Sequence, residues 1–106
     1  MTVVLRHRIT VEQYARVDDD TGGWSEDWTA LGSFWARVKA VGGAEAIMAG
    51  ALRGEVAWEI LLRNSSAEID VKDRVLWNGR TIQVNAVLPD EKGEWLRLLG
   101  KQEGAG

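Results

Sequence analysis

Side chains that commonly perform catalysis or hold metal ions are scarce in this sequence of 106 residues. It contains no cysteine and one histidine, His7, which excludes thiolate nucleophiles, disulfides, iron–sulfur clusters and metal sites built on two histidines. His7 lies on the apolar face of an alternating segment with no serine, aspartate or cysteine placed beside it, so we assign it to packing. The glycine pairs at residues 22–23 and 42–43 have the spacing of turns rather than of a phosphate-binding loop. We therefore expect no enzyme, no cofactor and no metal site.

The adjacent carboxylates Asp18, Asp19 and Asp20 form the one group that suggests a calcium site. An EF-hand loop needs oxygen ligands at alternate positions, a central glycine and a final glutamate, and the positions of Gly23 and Glu26 break that register. Aspartate and glycine both favour turns, the first through local hydrogen bonds and the second through access to positive φ. We interpret residues 18–23 as the solvated tip of a hairpin.

The six tryptophans carry more information than the titratable groups do. Alternation along the chain places Trp58 inward and favours the same for Trp77 and Trp95, where large side chains would fill much of a small core. Trp24 and Trp28 lie in or beside the acidic turn, and Trp35 shares a strand face with basic residues. Exposed tryptophans are enriched at protein interfaces, so these three are candidate interface residues. The alternatives are that Trp24 and Trp28 cap the end of a barrel and that the face carrying Trp35 is buried as well.

The charge balance disfavours tight binding of nucleic acid. Sixteen acidic residues face thirteen basic ones, for a net charge of −3, whereas proteins that neutralise phosphates normally show a basic face. An alternative is base stacking on a small barrel, for which Trp35 with Arg37 and Lys39 is the one short match. The apolar stretch at residues 44–52 is too short to span a bilayer, and the N-terminal apolar run is too short for a signal peptide. We expect no membrane association and an unprocessed chain made in the cytoplasm.

The elements that would position these residues are mostly strands. Alternation with a period of two predicts about six of them, at residues 3–11, 34–41, 55–63, 75–77, 80–88 and 95–99. Asn78-Gly79 is the pair that best suits a two-residue hairpin turn. The fold class is mainly β, a small antiparallel β-barrel or sandwich of about six strands with one short helix inserted between the second and third strands. The predicted core positions are Ile9, Val38, Trp58, Ile60, Val75, Ile82, Val84 and Leu98.

The inserted helix is predicted between Gly42 and Gly54, with apolar residues spaced for one helical face over two to three turns. The stripe consists of Ala44, Ile47, Met48, Ala51 and Leu52. A helix this short is marginal in water, so it needs a docking surface or a neighbouring subunit, and Ile47, Met48 and Leu52 join the candidate interface. We treat residues 1–106 as a single domain with a flexible tail from about residue 101.

The order of these segments resembles the phage head–tail joining family, the stoppers or head-closure adaptors of long-tailed phages and of phage-like gene transfer agents. The likeness rests on residues 5–11 (LRHRITV), 19–24 (DDTGGW), 34–38 (FWARV), 73–75 (DRV) and 78–82 (NGRTI), and it extends over about residues 5–101. It implies a β-barrel subunit of a homo-oligomeric ring of six or twelve copies in the neck of the particle. It also implies a portal-adaptor protein on the head side, a tail terminator or tail tube protein on the tail side, and DNA passing through the lumen. No catalysis is implied.

The sequence leaves two questions open, the role of residues 42–54 and the function of the chain. Residues 42–54 could act as a gate on the channel or as a subunit-packing element. The chain could also be a minor tail or baseplate protein, or a small β-barrel module that binds single-stranded nucleic acid.

Overall fold

A computed structural model describes residues 4–64 and 68–103, which form six β-strands and one α-helix. The elements are β1 (His7–Asp18), β2 (Trp24–Val41), α1 (Gly43–Met48), β3 (Ala57–Arg63), β4 (Arg74–Trp77), β5 (Arg80–Pro89) and β6 (Trp95–Glu103). Every neighbouring pair of strands is antiparallel, and the sheet closes in the order β1-β2-β3-β6-β5-β4. The predicted fold class is confirmed, in its barrel form, with the helix between the second and third strands.

The barrel interior is filled by aliphatic side chains from alternate positions of all six strands. The predicted core positions Ile9, Val38, Ile60, Val75, Ile82, Val84 and Leu98 are buried, while Trp58 is half-buried and packs against the same cluster. Each of the six described strands pairs with two neighbours, which provides partners for the backbone donors and acceptors of the sheet.

Aromatic rings close one end of the barrel. The ring centroids of Trp58 and Trp77 are 5.2 Å apart, and that of His7 is 5.1 Å from Trp77, both in edge-to-face arrangements. Trp58 Nε1 donates to Gln102 Oε1 at 3.1 Å, which satisfies the one polar atom of the indole. His7 is therefore a packing residue in this structure. Trp95 is different, because Leu96 and Leu98 face inward on β6 and Trp95 lies on the outer wall, so its predicted inward position is wrong.

Tight turns join the short strands as the local sequence predicts. Asn78 and Gly79 have φ values of 49° and 75° between β4 and β5, the two positive values that a two-residue hairpin of this kind needs.

The largest departures from the predicted boundaries occur at the ends of elements. β2 begins at Trp24, ten residues before the predicted start at residue 34, because its first half is solvated on both faces and has no apolar alternation to detect. β1 begins at His7 rather than at residue 3, and residues 1–3 lie outside the described part of the chain.

The helix and the tail also differ from expectation. α1 ends at Met48 and the chain turns at Gly50, whose φ is +78°, so Ala51 and Leu52 are not helical and the helix has one turn and a half rather than two to three turns. β6 continues to Glu103 because residues 101–103 pair with β3 and β5. Residues 101–103, where the sequence predicted the start of a flexible tail, therefore belong to a strand, and residues 104–106 lie outside the described ones. In the described ranges, no helix is long and apolar enough to cross a membrane.

Candidate interaction surfaces

Strands β1 and β2 extend beyond the barrel as a two-stranded arm. β1 pairs with β4 only at Thr10, Val11 and Glu12, while its pairing with β2 continues to Asp18 and Trp24. We call residues 13–29 the arm. A bulge at Leu31, which is left unpaired while Val11 faces Gly32 and Glu12 faces Ala30, marks the point where the arm leaves the barrel. The molecule is accordingly elongated, with extents of 55 × 34 × 25 Å.

The tip of the arm is organised by one carboxylate. Asp19 Oδ1 accepts hydrogen bonds from the backbone N–H groups of Thr21 and Gly23, at 2.9 and 2.8 Å, and from the Thr21 hydroxyl at 2.9 Å. These bonds, first of all the one from the Thr21 amide, lower the pKa of Asp19. The prediction of a hairpin tip is confirmed, since this carboxylate closes the turn. Over residues 4–64 and 68–103, no three Asp, Glu or His side chains are grouped to hold a metal ion.

One face of the arm is aromatic. Tyr14 and Trp28 are cross-strand partners whose rings meet edge-to-face with centroids 5.4 Å apart. Trp24 lies four register pairs further toward the tip on the same face, with the guanidinium of Arg16 4.8 Å from its ring centroid. The structure thus places Trp24 and Trp28 in a regular strand, where the sequence indicated a turn or its surroundings. Trp24 is 52% exposed and Trp28 is half-buried.

The base of the arm is bound to the barrel by charged groups that the sequence did not single out. Arg74 on β4 forms an ion pair with Glu12 at 2.6 Å and lies 4.0 Å from the ring centroid of Trp28. Asp73 is buried, and its carboxylate accepts hydrogen bonds from the backbone N–H groups of Tyr14 at 3.2 Å and Asp70 at 2.8 Å. These contacts hold the first residues of the arm against the barrel.

Trp35 occupies a second surface, on the outer wall of the barrel. It is 54% exposed, and the guanidinium of Arg8 lies 5.3 Å from its ring centroid. Beside it is a cleft of about 360 Å³, which we call the Trp35 cleft. Its lining residues are Leu5, Arg8, Ser33, Phe34, Trp35 and Arg63. Arg63 also stacks on Trp95, 4.8 Å from the ring centroid, so both arginines of the cleft lie on indole rings.

The third surface is formed by α1 and the loop that follows it. The helix packs on the outer wall over β3 and β6, where Ala49, Ala57 and Leu99 are buried in a small second cluster. Asn85 Nδ2 donates to the Ala49 carbonyl at 2.6 Å. Because small side chains make this contact, the large apolar ones face solvent, with Ile47 78%, Met48 47% and Leu52 72% exposed.

A buried carboxylate fastens α1 to the barrel. Glu59 accepts hydrogen bonds from Arg97 at 2.7 Å and from Arg37 at 3.3 Å, and Lys39 Nζ lies 3.6 Å away. Arg97 in turn binds Glu45 of the helix. Burial by itself would raise the pKa of Glu59, but the hydrogen bond and charge of Arg97, with the charge of Lys39, outweigh it and lower that pKa. The acidic residue in an otherwise apolar strand was the signal available in the sequence.

Known proteins resemble this chain over nearly its whole length. The sequence pattern of the phage head completion protein family matches residues 2–103. A chain from the virion of a native gene transfer agent particle is 26% identical, with a TM-score of 0.74, over 99% of this chain and 100% of its own length. Protein SF1141 from Shigella flexneri 2a is 28% identical, with a TM-score of 0.76, over 96% of both chains.

A more distant likeness concerns the fold alone. Protein xkdH from the phage-like element PBSX of Bacillus subtilis is 11% identical, with a TM-score of 0.52, over 92% of this chain and 93% of its own. None of the curated proteins matches the chain.

The family pattern covers all six strands, the arm and α1, and a virion component of similar length shares the same fold. The chain belongs to the phage head completion protein family, and its role is a structural one at the head–tail region of a phage-like particle.

Proposed function

We propose that this protein is the stopper, or head-closure adaptor, of a head–tail connector. In this role six or twelve copies form a ring in the neck. The ring joins a portal-adaptor protein on the head side to a tail terminator or tail tube protein on the tail side. DNA passes through the lumen without tight binding, which the net charge of −3 favours because the ring then offers few cations to the phosphates.

The observation that carries this proposal is the exposure of apolar side chains on elements that are firmly held. Three large apolar side chains on α1 and the loop after it are exposed to water, namely Ile47, Met48 and Leu52. Arg97 and Asn85 hold this segment on the barrel. A monomer gains no stability from exposing these side chains, and large apolar side chains grouped at a protein surface mark sites of protein contact. Covering the three side chains with a neighbouring copy would contribute about 1 to 2 kcal/mol for each of them.

Trp24, Trp28 and Trp35 support the same proposal from a different strand, β2. Trp24 and Trp35 are more than half exposed, Trp24 on the arm that projects beyond the barrel and Trp35 on the outer wall of the barrel. Large aromatic side chains contribute strongly when an interface desolvates them. We therefore assign all three to the ring or to its contacts with the neighbouring neck proteins.

The test is to locate the chain in particles produced by the host cell. Electron cryomicroscopy of the neck should reveal a ring into which this barrel fits, and immunogold labelling should mark the neck alone. Particles that lack the chain would overturn the proposal, and labelling of the baseplate would support the alternative of a tail component. Binding of single-stranded oligonucleotide that quenches tryptophan fluorescence and weakens with salt would favour the nucleic-acid module instead.

A matched pair of variants tests the α1 surface separately. Replacing both Ile47 and Leu52 by serine should leave the melting temperature unchanged, because neither side chain is buried, and should reduce the number of copies incorporated per particle. The control is Val71→Ser, which removes an exposed apolar side chain from a different loop and should be incorporated normally. Normal incorporation of the double variant would exclude α1 from the interface.

A further inference from the structure

The arm and the remainder of the chain carry net charges of opposite sign. The arm, residues 13–29, contains five acidic residues and one basic residue, a net charge of −4, whereas the rest contains eleven acidic and twelve basic residues, a net charge of +1. Asp20, Glu26 and Asp27 are exposed, and none of them forms an ion pair with a described residue. The tip of the arm is thus an exposed acidic surface with one exposed indole, Trp24.

The Trp35 cleft is complementary to that tip in charge and in polarity. Its two cations, Arg8 and Arg63, make no ion pair within residues 4–64 and 68–103. Each guanidinium lies over an indole ring, 5.3 Å and 4.8 Å from the ring centroid, and the paired N–H groups of a guanidinium suit a carboxylate. The floor of the cleft is apolar, formed by Leu5 and Phe34.

The arm of a chain cannot enter its own cleft, because Trp24 and Trp35 lie on one continuous strand. Eleven residues of extended strand separate them by about 36 Å. A second copy can therefore receive the tip where its cleft lies about 36 Å from the cleft of the first copy. A contact between two different surfaces of one chain is head-to-tail, the type that closes into rings.

We infer that the acidic tip of the arm of one copy seats in the Trp35 cleft of the next copy. The exposed carboxylate of Asp20, at the tip, binds Arg8 and Arg63, and the exposed faces of Trp24 and Trp35 become covered. Each copy then donates one arm and receives one. The inference rests on the ring proposed above and adds the surfaces that form its repeating contact.

Cross-linking in assembled particles tests this contact, because the chain has no native cysteine to interfere. The double variant Asp20→Cys with Ser33→Cys places one thiol at the tip and one in the cleft, both at exposed positions. Within a chain the two sites are more than about 30 Å apart along the hairpin, so a short bis-maleimide can join them only between copies. Denaturing gels should show a ladder of covalent multimers, whereas either single variant should remain monomeric.

The alternative binding surface for the tip is the α1 surface of the next copy. The double variant Asp20→Cys with Arg53→Cys tests it with the same reagent. A ladder from this pair and none from the Ser33 pair would overturn the inference. Particles that carry the double variant in the neck and give no ladder would also overturn the inference, although the proposed ring would then stand. Absence of the wild-type chain from particles would instead overturn the proposed function. If Asp20→Cys is not incorporated, Thr21→Cys, at an exposed position of the same turn, replaces it as the tip thiol.

Charge reversal provides a readout independent of cross-linking. Arg63→Glu should lower incorporation into particles by about tenfold or more, since it sets like charges against each other in the contact. Combining it with Asp20→Arg should restore incorporation because the pair is then reversed, while Asp20→Arg alone should also be defective. Full incorporation of either single variant would contradict the contact. Circular dichroism of each purified variant checks that the barrel is folded.

Discussion

Gly100 on β6 is the position where adding a single carbon should disturb the barrel most directly. It faces Val84 at the point where the register of β5 and β6 shifts, between Val84 and Ala86. A Cβ added at Gly100 would lie 2.9 Å from Ile82 Cγ2 and 3.0 Å from the carbonyl carbon of Gln83, with the Gln83 oxygen closer still. The glycine has no positive φ, so the cost of Gly100→Ala comes from collision and not from backbone strain.

β5 has little freedom to retreat from that collision. On its other side, Val84 accepts a hydrogen bond from Lys72 N at 3.2 Å and donates one to the Asp73 carbonyl at 3.0 Å. Overpacking a well-packed interior costs about 1 to 3 kcal/mol, and each ladder hydrogen bond lost in the adjustment costs about 1 kcal/mol. We expect Gly100→Ala to lower the free energy of unfolding by about 2 to 4 kcal/mol, equivalent to at least about 8 °C in melting temperature.

The assay is thermal and urea unfolding, followed by tryptophan fluorescence and circular dichroism. Gly42→Ala is the matched control, because its Cβ would meet no atom within 4 Å and its φ is −137°. It should change stability by less than about 0.5 kcal/mol. Equal stability of the two variants would refute the close approach of β5 and β6 at Gly100.

Three further predictions concern single side chains. Trp58→Ala should cost about 3 kcal/mol in the same unfolding assay, because it deletes a half-buried indole from the core cluster, and an unchanged melting temperature would contradict its inward placement. Glu59→Gln should cost about 1 to 3 kcal/mol near neutral pH. Since the folded-state pKa of Glu59 is below its ordinary value of 4.5, its stabilisation is complete above that pH and is lost as pH falls through the lowered pKa. The difference between wild type and Glu59→Gln should therefore shrink on acidification, and a constant difference would show that the charge is unimportant. Asp19→Ala should accelerate hydrogen exchange at the amides of Thr21 and Gly23, whose acceptor it removes, and unchanged exchange would exclude this turn.

Much of the barrel could be predicted because its signals are local. A strand with one buried face shows a period of two whatever it pairs with, and a two-residue turn such as Asn78-Gly79 needs positive φ at both positions. The arm carried no such signal. Both of its faces contact water, so polar residues occur at successive positions. The alternation of apolar and polar residues is therefore missing from residues 24–29 of β2, which belong to the arm.

The charge segregation was hidden from the sequence for a related reason. A count by halves gives six basic and seven acidic residues up to Arg53, and seven basic and nine acidic after it. Only when the structure shows that residues 13–29 form a separate projection does the excess of acid become a property of one surface. The hydrogen-bond partners of Asp73 and Glu59 were equally hidden from the sequence, since they are distant in the chain.

The sequence by itself determined the strand content, the tight turns, the inserted helix and the absence of cysteine chemistry, because each depends on residue types and short-range spacing. The tertiary structure decided which apolar residues remain in water. Ala49 became buried and Ile47 exposed because α1 docks on β3 and β6 through its small side chains. Trp35 on β2 and Arg63 on β3 share a cleft because these two strands, which are distant in the sequence, pair with each other. Which residues meet across a closed sheet is set by pairings between distant segments, and local spacing does not encode them.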